Sequence, residues 1–254
     1  MRCTVCHGTE WLQDTGGIRC SCCQAYFSLQ NGILDMLGDP SEETITPFQR
    51  LMQTPFVVSI YEKFWRRFGY YLASSRSFRQ EMETVLELWQ DRLHSPLLDL
   101  ACGTGVFARP LAHHSDSLIV GLDLSRPMLR HARRLIHSSG LRNVRLIRGS
   151  AFELPFVDSA LGGINCCGAL HLFDRPDAAL REIHRVLRPH GHLCVQTTIR
   201  PNRSAGFAFM LERFIRFGFF DESELRKKMN DQGFRLIESE RHRISFTFLA
   251  ERML

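Results

Sequence analysis

From about residue 95 onward, short uninterrupted apolar runs alternate with apolar stripes at helical spacing. Leu97, Leu98 and Leu100 read as a buried strand that stops on a glycine-rich turn and gives way to a helix starting at about Val106. Residues 118–123 repeat the pattern, an apolar run ending in an acid, and Ser125 and Pro127 then supply a cap and a first-turn proline for a helix. Residues 143–149, 160–169 and 192–199 read as strands three to five. Before the fifth, residues 178–191 form a helix with Leu180, Ile183, Val186 and Leu187 on one face and Glu182 and Arg185 on its exposed side, stopped by Pro189 and Gly191. A further helix opens at Asp221, and residues 234–240 and 244–251 are expected to pair as the last two strands. Strand–helix alternation of this kind predicts an α/β, doubly wound sheet.

Upstream, Phe78, Met82, Val85, Leu86 and Trp89 mark an amphipathic helix over residues 76–94, ended by Ser95-Pro96. Residues 56–72 are dense in aromatics at mostly helical period. Phe56, Ile60, Phe64 and Phe68 form one core stripe, while Tyr61 and Trp65, with polar tips, are candidates for a site-facing role. Three prolines in residues 39–55 mark a linker. The organisation expected is residues 1–38 as a zinc-ribbon-like module, 39–94 as linker and helices, and 95–254 as the main domain.

Composition narrows the class. A chain of 254 residues with 44% apolar residues can bury one α/β core with a small appendage. A net charge of +5, spread over scattered arginines, does not by itself argue for nucleic acid. The start, M-R-C-T-V-C-H-G, has no apolar signal segment, and no window approaches the ~18 apolar residues of a membrane span. A reducing cytoplasm is therefore the expected setting for the nine cysteines. Cys3-x-x-Cys6 and Cys20-x-x-Cys23 can bring four thiolates to one tetrahedral metal site, zinc being the expected ion. Cys22 is then spare and His7 a bystander.

The turn at Gly103 and Gly105 can approach a ligand closely, yet no Lys-Ser/Thr follows it, and Arg109 replaces the third glycine of a dinucleotide fingerprint. Asp99, inside the first strand, needs a buried partner or a cationic ligand. Asp123, ending the second strand, is placed to accept both hydroxyls of a ribose. Together these point to a nucleoside rather than a nucleotide.

The blocks LLDLACGTG, GLDLS, LPF and REIHRVLRPHG resemble the class I S-adenosylmethionine-dependent methyltransferases of the ubiquinone/menaquinone-methyltransferase type, over residues 95–252. The resemblance implies a Rossmann-like, seven-stranded, mostly parallel sheet with an antiparallel C-terminal hairpin. It implies S-adenosylmethionine as cofactor, contacted by Asp99, Ala101, Cys102, Gly103, Gly105, Asp123, Leu124, Met128, Ser150, Ala151, Phe152 and Cys166. Met128 serves equally as a core thioether, and Cys166 as a packing residue. Ser150 stands where the family usually has an Asp for the adenine amino group, which shifts weight to the backbone of Ala151 and Phe152. The resemblance also implies a structural role for the ribbon and a lid role for the segment holding Tyr61 and Trp65. Phe207, in the aromatic insert of residues 201–218, would complete an acceptor pocket or pack on the core.

His171 follows the fourth strand and is the candidate general base, with a loop-bonding histidine as the alternative. No Asn/Asp-Pro-Pro-Tyr box or Pro-Cys motif is present, which disfavours exocyclic amine and C5-pyrimidine methylation. The expected activity is methyl transfer to an apolar small molecule such as a polyketide, a prenylated ring or a lipid-like metabolite. An RNA methyltransferase using the ribbon for RNA is the runner-up, and a non-catalytic S-adenosylmethionine-binding scaffold the third reading.

Overall fold

The computed structural model describes residues 1–37, 71, 73–201 and 218–254. Tyr61, Trp65 and Phe207, with the linker and both aromatic segments that surround them, lie outside the described residues.

Eleven strands form one sheet. They are β1 (Trp11–Asp14), β2 (Gly17–Cys20), β3 (Tyr26–Gln30), β4 (Ile33–Asp35), β5 (Leu97–Leu100), β6 (Ile119–Asp123), β7 (Val144–Arg148), β8 (Leu161–Cys167), β9 (Leu187–Thr198), β10 (Phe234–His242) and β11 (Ser245–Arg252). Their spatial order is β1-β2-β3-β4-β7-β6-β5-β8-β9-β11-β10. The strands β7, β6, β5, β8 and β9 run parallel, and β11 and β10 close the far edge as an antiparallel hairpin. This is the seven-stranded arrangement expected. At the other edge, β4 pairs in parallel with β7, so the cysteine-rich segment continues the sheet directly.

The central strand β5 is buried along its whole length, as a strand covered on both faces must be, and its apolar run was legible for that reason. Helix α1 (Phe78–Trp89) carries a capping box in which Ser77 and Gln80 bond each other's backbone amides, and it buries Val85, Leu88 and Trp89. It is shorter than the 76–94 expected: Asp91, with φ of 60°, breaks helical geometry before Pro96 is reached. Helix α2 (Ala108–His113) starts later than Val106, because Gly103 and Gly105 hold the chain in positive-φ turns of 56° and 73°. Helix α3 (Arg126–Ser138) is capped by Ser125 with Pro127 in its first turn, and buries Met128, Leu129, Ala132 and Ile136.

Helix α4 (Pro176–Val186) stops three residues before Pro189, and β9 begins at once. Proline excludes the helical conformation from the residue before it and clashes with the carbonyl four residues back, which moves the stop upstream. Glu182 and Arg185 were expected on the exposed side of this helix. Their side chains are instead only 15% and 17% exposed, because the loop of residues 154–158 lies across them. Arg185 donates to the carbonyls of Leu154 (3.0 Å) and Phe156 (2.8 Å), and Glu182 accepts from Leu154 N (2.8 Å). Helix α5 (Glu222–Asp231), capped by Asp221, precedes the hairpin.

Candidate functional site

The chain leaves β5 for β6 and then β7 on one side, and returns to place β8 on the other. The connections after β5 and β8 therefore diverge, and parallel α/β sheets open a ligand crevice at such a point, beyond the strands' C-terminal ends. The turns that follow β5, β6, β7 and β8 all meet this edge. They hold Ala101–Gly105, Asp123–Met128, Ser150–Phe152 and His171.

In the first turn Ala101 has φ of 55° and Cys102 N donates to Leu122 O (3.0 Å). Gly103 N donates to Asp123 Oδ2 and Ser125 N to Asp123 Oδ1, each at 2.8 Å. The Asp123 carboxylate thus ties the glycine turn to the end of β6. Gly121 makes the close approach possible: a Cβ there would lie 2.9 Å from Leu146 Cδ2 and 3.0 Å from Cys102 Sγ. Leu124 is half-buried and its carbonyl accepts from Arg148 Nε (3.1 Å).

Asp99 is 2% exposed. Its Oδ1 accepts from Asn165 Nδ2 at 2.7 Å, and Asn165 Oδ1 in turn accepts from Trp89 Nε1 and Cys167 Sγ, both at 3.2 Å. Sequence reasoning missed Asn165. The available signal was an amide inside an otherwise apolar strand, in register with Asp99 across the β5–β8 pair.

Ser150 Oγ accepts from Phe152 N (3.1 Å), so part of its capacity, and the Phe152 amide, serve the local turn. The Phe152 ring meets Phe173 edge-on (5.8 Å), and the Arg175 guanidinium lies over it at 4.4 Å. Ala151 is half-buried, while Met128 is buried on α3. Cys166 is wholly buried, and burial pushes its thiol up to about 12, so it is no thiolate nucleophile.

His171 sits in a 3-10 turn (Leu170–Leu172) just past β8. Its Nδ1 lies 3.4 Å from Thr197 Oγ1, and Gly218 N donates to its carbonyl at 3.0 Å. Burial lowers its pKa to about 4, leaving the imidazole neutral near pH 7.

The four sulfurs of Cys3, Cys6, Cys20 and Cys23 lie within 4.8 Å of one another, with Cys3–Cys23 at 3.7 Å and Cys6–Cys20 at 3.6 Å. A zinc–thiolate bond of ~2.3 Å gives a tetrahedral sulfur–sulfur edge of roughly 3.8 Å. The cluster fits that edge, and is far too open for a disulfide of ~2.05 Å. The Cys23 amide, followed by other local donors, lowers Cys20 to about 6, which favours the thiolate a metal needs. His7 faces Glu153 at 3.8 Å, outside the cluster, and Cys22 is an exposed free thiol.

Residues 97–191 match a family described as "Methyltransferase domain". An uncharacterized chloroplastic methyltransferase of Arabidopsis thaliana is 27% identical over 78% of this chain and 61% of its own length. A demethylmenaquinone methyltransferase of Listeria monocytogenes is 35% identical over 46% of this chain and 51% of its own. The chain thus spans about half to three fifths of the length of these curated relatives. Among solved structures, an S-adenosylmethionine-dependent methyltransferase from Aquifex aeolicus superposes with a TM-score of 0.60 at 19% identity, covering 78% of this chain and 98% of that one. A [4+2]-cyclase gives the same TM-score at 18% identity, covering 68% and 81%. Residues 97–191 thus resemble a methyltransferase domain, and the Rossmann-like sheet is a fold this chain shares with S-adenosylmethionine-dependent methyltransferases. The chain's relatives include proteins named demethylmenaquinone methyltransferase.

Proposed function

We propose that this crevice binds S-adenosylmethionine and that the protein transfers its methyl group to an apolar small-molecule acceptor. The observation that carries the reading is the Asp123 carboxylate, anchored by the Gly103 and Ser125 amides at the edge of the crevice, where a ribose diol would meet it. The residues present fit the cofactor. Ala101, Cys102, Gly103 and Gly105 would form the floor under it, and Asp99 in its buried network would face the cationic amino-acid end. Leu124 and Met128 would flank the ribose and adenine, Ser150, Ala151 and Phe152 would hold the adenine edge, and Cys166 would back the wall. When bound, the sulfonium supplies an electrophilic methyl group, whose bond to sulfur breaks as the bond to the acceptor forms.

The chain's part is to hold the two reactants in line and exclude water, which can supply most of the acceleration without strong acid–base groups. His171, neutral through burial, would accept a hydrogen bond from the acceptor, and with a pKa of about 4 it positions better than it deprotonates. Tyr61, Trp65 and Phe207, in segments rich in aromatics, would line the acceptor pocket. The named activity of the demethylmenaquinone relatives supports an apolar acceptor. Cys3, Cys6, Cys20 and Cys23 would hold a structural zinc ion. A reducing compartment suits these thiols, whether cytoplasm or, by analogy with the plant relatives' names, plastid. No helix among the described residues is long and apolar enough to cross a membrane.

A second reading, RNA methylation, rests on one feature. Between Asp123 and Glu153 the chain has seven arginines and no acid, and Arg130, Arg133, Arg134 and Arg142 flank one another on or beside α3. Labelled methyl transfer into a cell extract fractionated into metabolites, RNA and protein separates the two. Label in the apolar metabolite fraction is expected, and label confined to RNA would overturn the acceptor class. Calorimetry with S-adenosylhomocysteine tests the cofactor itself: Asp123→Asn should weaken binding about tenfold or more, as loss of a charge-assisted acceptor does.

A further inference from the structure

The cysteine-rich segment touches two of the loops that the cofactor would use. Its last strand, β4, places Asp35 in register with Arg148 of β7, and Arg148 is in register with Asp123 of β6. A row of alternating charge therefore crosses three strands at the crevice edge. Asp35 accepts from Arg148 Nη1 (3.1 Å) and pairs with Arg126 in the first turn of α3. Arg148 uses its Nε on the Leu124 carbonyl, the residue after Asp123. Among the described residues, Asp35 is the one acid paired with these two arginines. Without it, the Arg148 guanidinium would be left beside Asp123, competing for the carboxylate that faces the ribose.

The second contact is to the loop after β7. Arg2 N donates to Pro155 O (3.1 Å), and the Arg2 guanidinium lies 3.9 Å from Glu182, which itself holds Leu154 N. Cys3 and Met36 share a buried cluster with Leu154 and Phe156. Thr4 Oγ1 donates to Met36 O (2.9 Å), and Met36 N to Arg148 O (2.8 Å), so the segment's beginning and end are tied to each other and to β7. Cys3 belongs to the four-sulfur centre and stands one residue from both Arg2 and Thr4, which make two of these contacts.

We propose that the cysteine centre and the nucleoside crevice are thermodynamically linked through this brace, with Asp35 as a positioning residue for the loop that carries Asp123. The proposal rests on the cofactor reading above. Linkage is reciprocal: whatever a filled metal centre contributes to cofactor affinity, bound cofactor must return to metal retention.

Two measurements on the full chain, purified with zinc, test it. In calorimetry with S-adenosylhomocysteine, Asp35→Asn should weaken binding about tenfold, inside the usual range of coupling between sites, while zinc content stays at the wild-type value and Asp35→Glu restores the affinity. In wild-type protein, saturating S-adenosylhomocysteine should slow zinc release to a colorimetric chelator several-fold, an effect absent in Asp35→Asn. Equal affinity in wild type and Asp35→Asn, or zinc release indifferent to S-adenosylhomocysteine, overturns the linkage. Absence of any S-adenosylhomocysteine binding by wild type overturns the cofactor reading instead, so the two failures are distinct.

Discussion

Arg185→Met separates a solvated helix face from a buried support. By helical spacing Arg185 lies off the apolar stripe of α4, and a solvated arginine there could be replaced at a cost within about 0.5 kcal/mol. In the structure its guanidinium is bonded to both Glu182 oxygens at 2.7 Å, and to the carbonyls of Leu154 and Phe156. Burial alone would push Glu182 up, yet the bonds from Arg185 and the Leu154 amide, with the charges of Arg185 and Arg2, together more than offset it, and its carboxyl stays below the usual range. Methionine fills much of the space but leaves two carbonyls and a carboxylate without their donor. Breaking a buried pair costs about 3–5 kcal/mol, and this pair keeps some solvent contact, so about 2–4 kcal/mol is expected. The Asp158 contact, at 2.8 Å to a side chain 73% exposed, adds little.

In a domain of this size each kcal/mol moves the melting temperature by roughly 2–4 °C, so Arg185→Met should melt on the order of 10 °C below wild type. Urea titration at neutral pH gives the free energy directly. Arg188→Met, at an exposed position two residues into β9, is the control and should change neither measurement. An Arg185→Met protein that unfolds within 0.5 kcal/mol of wild type would show that the 154–158 loop does not depend on this side chain.

Other outcomes follow from the same geometry. Gly163→Ala should destabilise by about 1–3 kcal/mol in urea titration, because the added Cβ would sit 2.6 Å from Leu97 Cδ1 and 2.8 Å from the Trp89 ring. The unfolded chain protonates His171 near its ordinary value, whereas the folded chain does so only at about 4; stability should therefore fall as pH drops through that window, by up to ~1.4 kcal/mol per unit. His171→Gln should flatten that slope in melts taken across it, and an unchanged slope would refute the burial argument. Elemental analysis of protein purified without chelator should find one zinc per chain, and Cys6→Ser, which leaves three thiolates, should lose it together with several degrees of melting temperature.

The parallel core was legible because strands covered on both faces must be apolar throughout, and β5, β6 and β8 are short runs of that kind bounded by turns. The cysteine spacing was legible for a similar reason, since four thiolates on one ion need two tight knuckles. What could not be read locally depends on contacts distant in sequence. The β4–β7 pairing joins residues more than a hundred positions apart, and nothing within Ile33–Asp35 announces its partner. Glu182 and Arg185 obey the helical period, yet a loop from earlier in the chain covers them. Asp99 was expected to need a buried partner or a cationic ligand, and that Asn165 bonds it follows only from the β5–β8 register.

The resemblance in fold carries less about chemistry than the residues at the strand ends. A methyltransferase and a [4+2]-cyclase superpose on this chain equally well, at a TM-score of 0.60 each, so the sheet alone is compatible with more than one reaction. The family match, by contrast, spans residues 97–191, and within it fall the glycine turn, Asp123, the 150–152 turn and His171. The aromatic segments around Tyr61 and Phe207 fall outside it. Under the proposed function a division of labour follows, in which the matched region would hold the nucleoside sulfonium and the flanking segments would choose the acceptor. The strand β4, paired between β3 and β7, belongs to neither set. By covering the open side of β7 it removes an unpaired edge and at the same time carries Asp35 to the end of the charged row, so under the proposed function the cysteine centre would stand behind the cofactor half of the site.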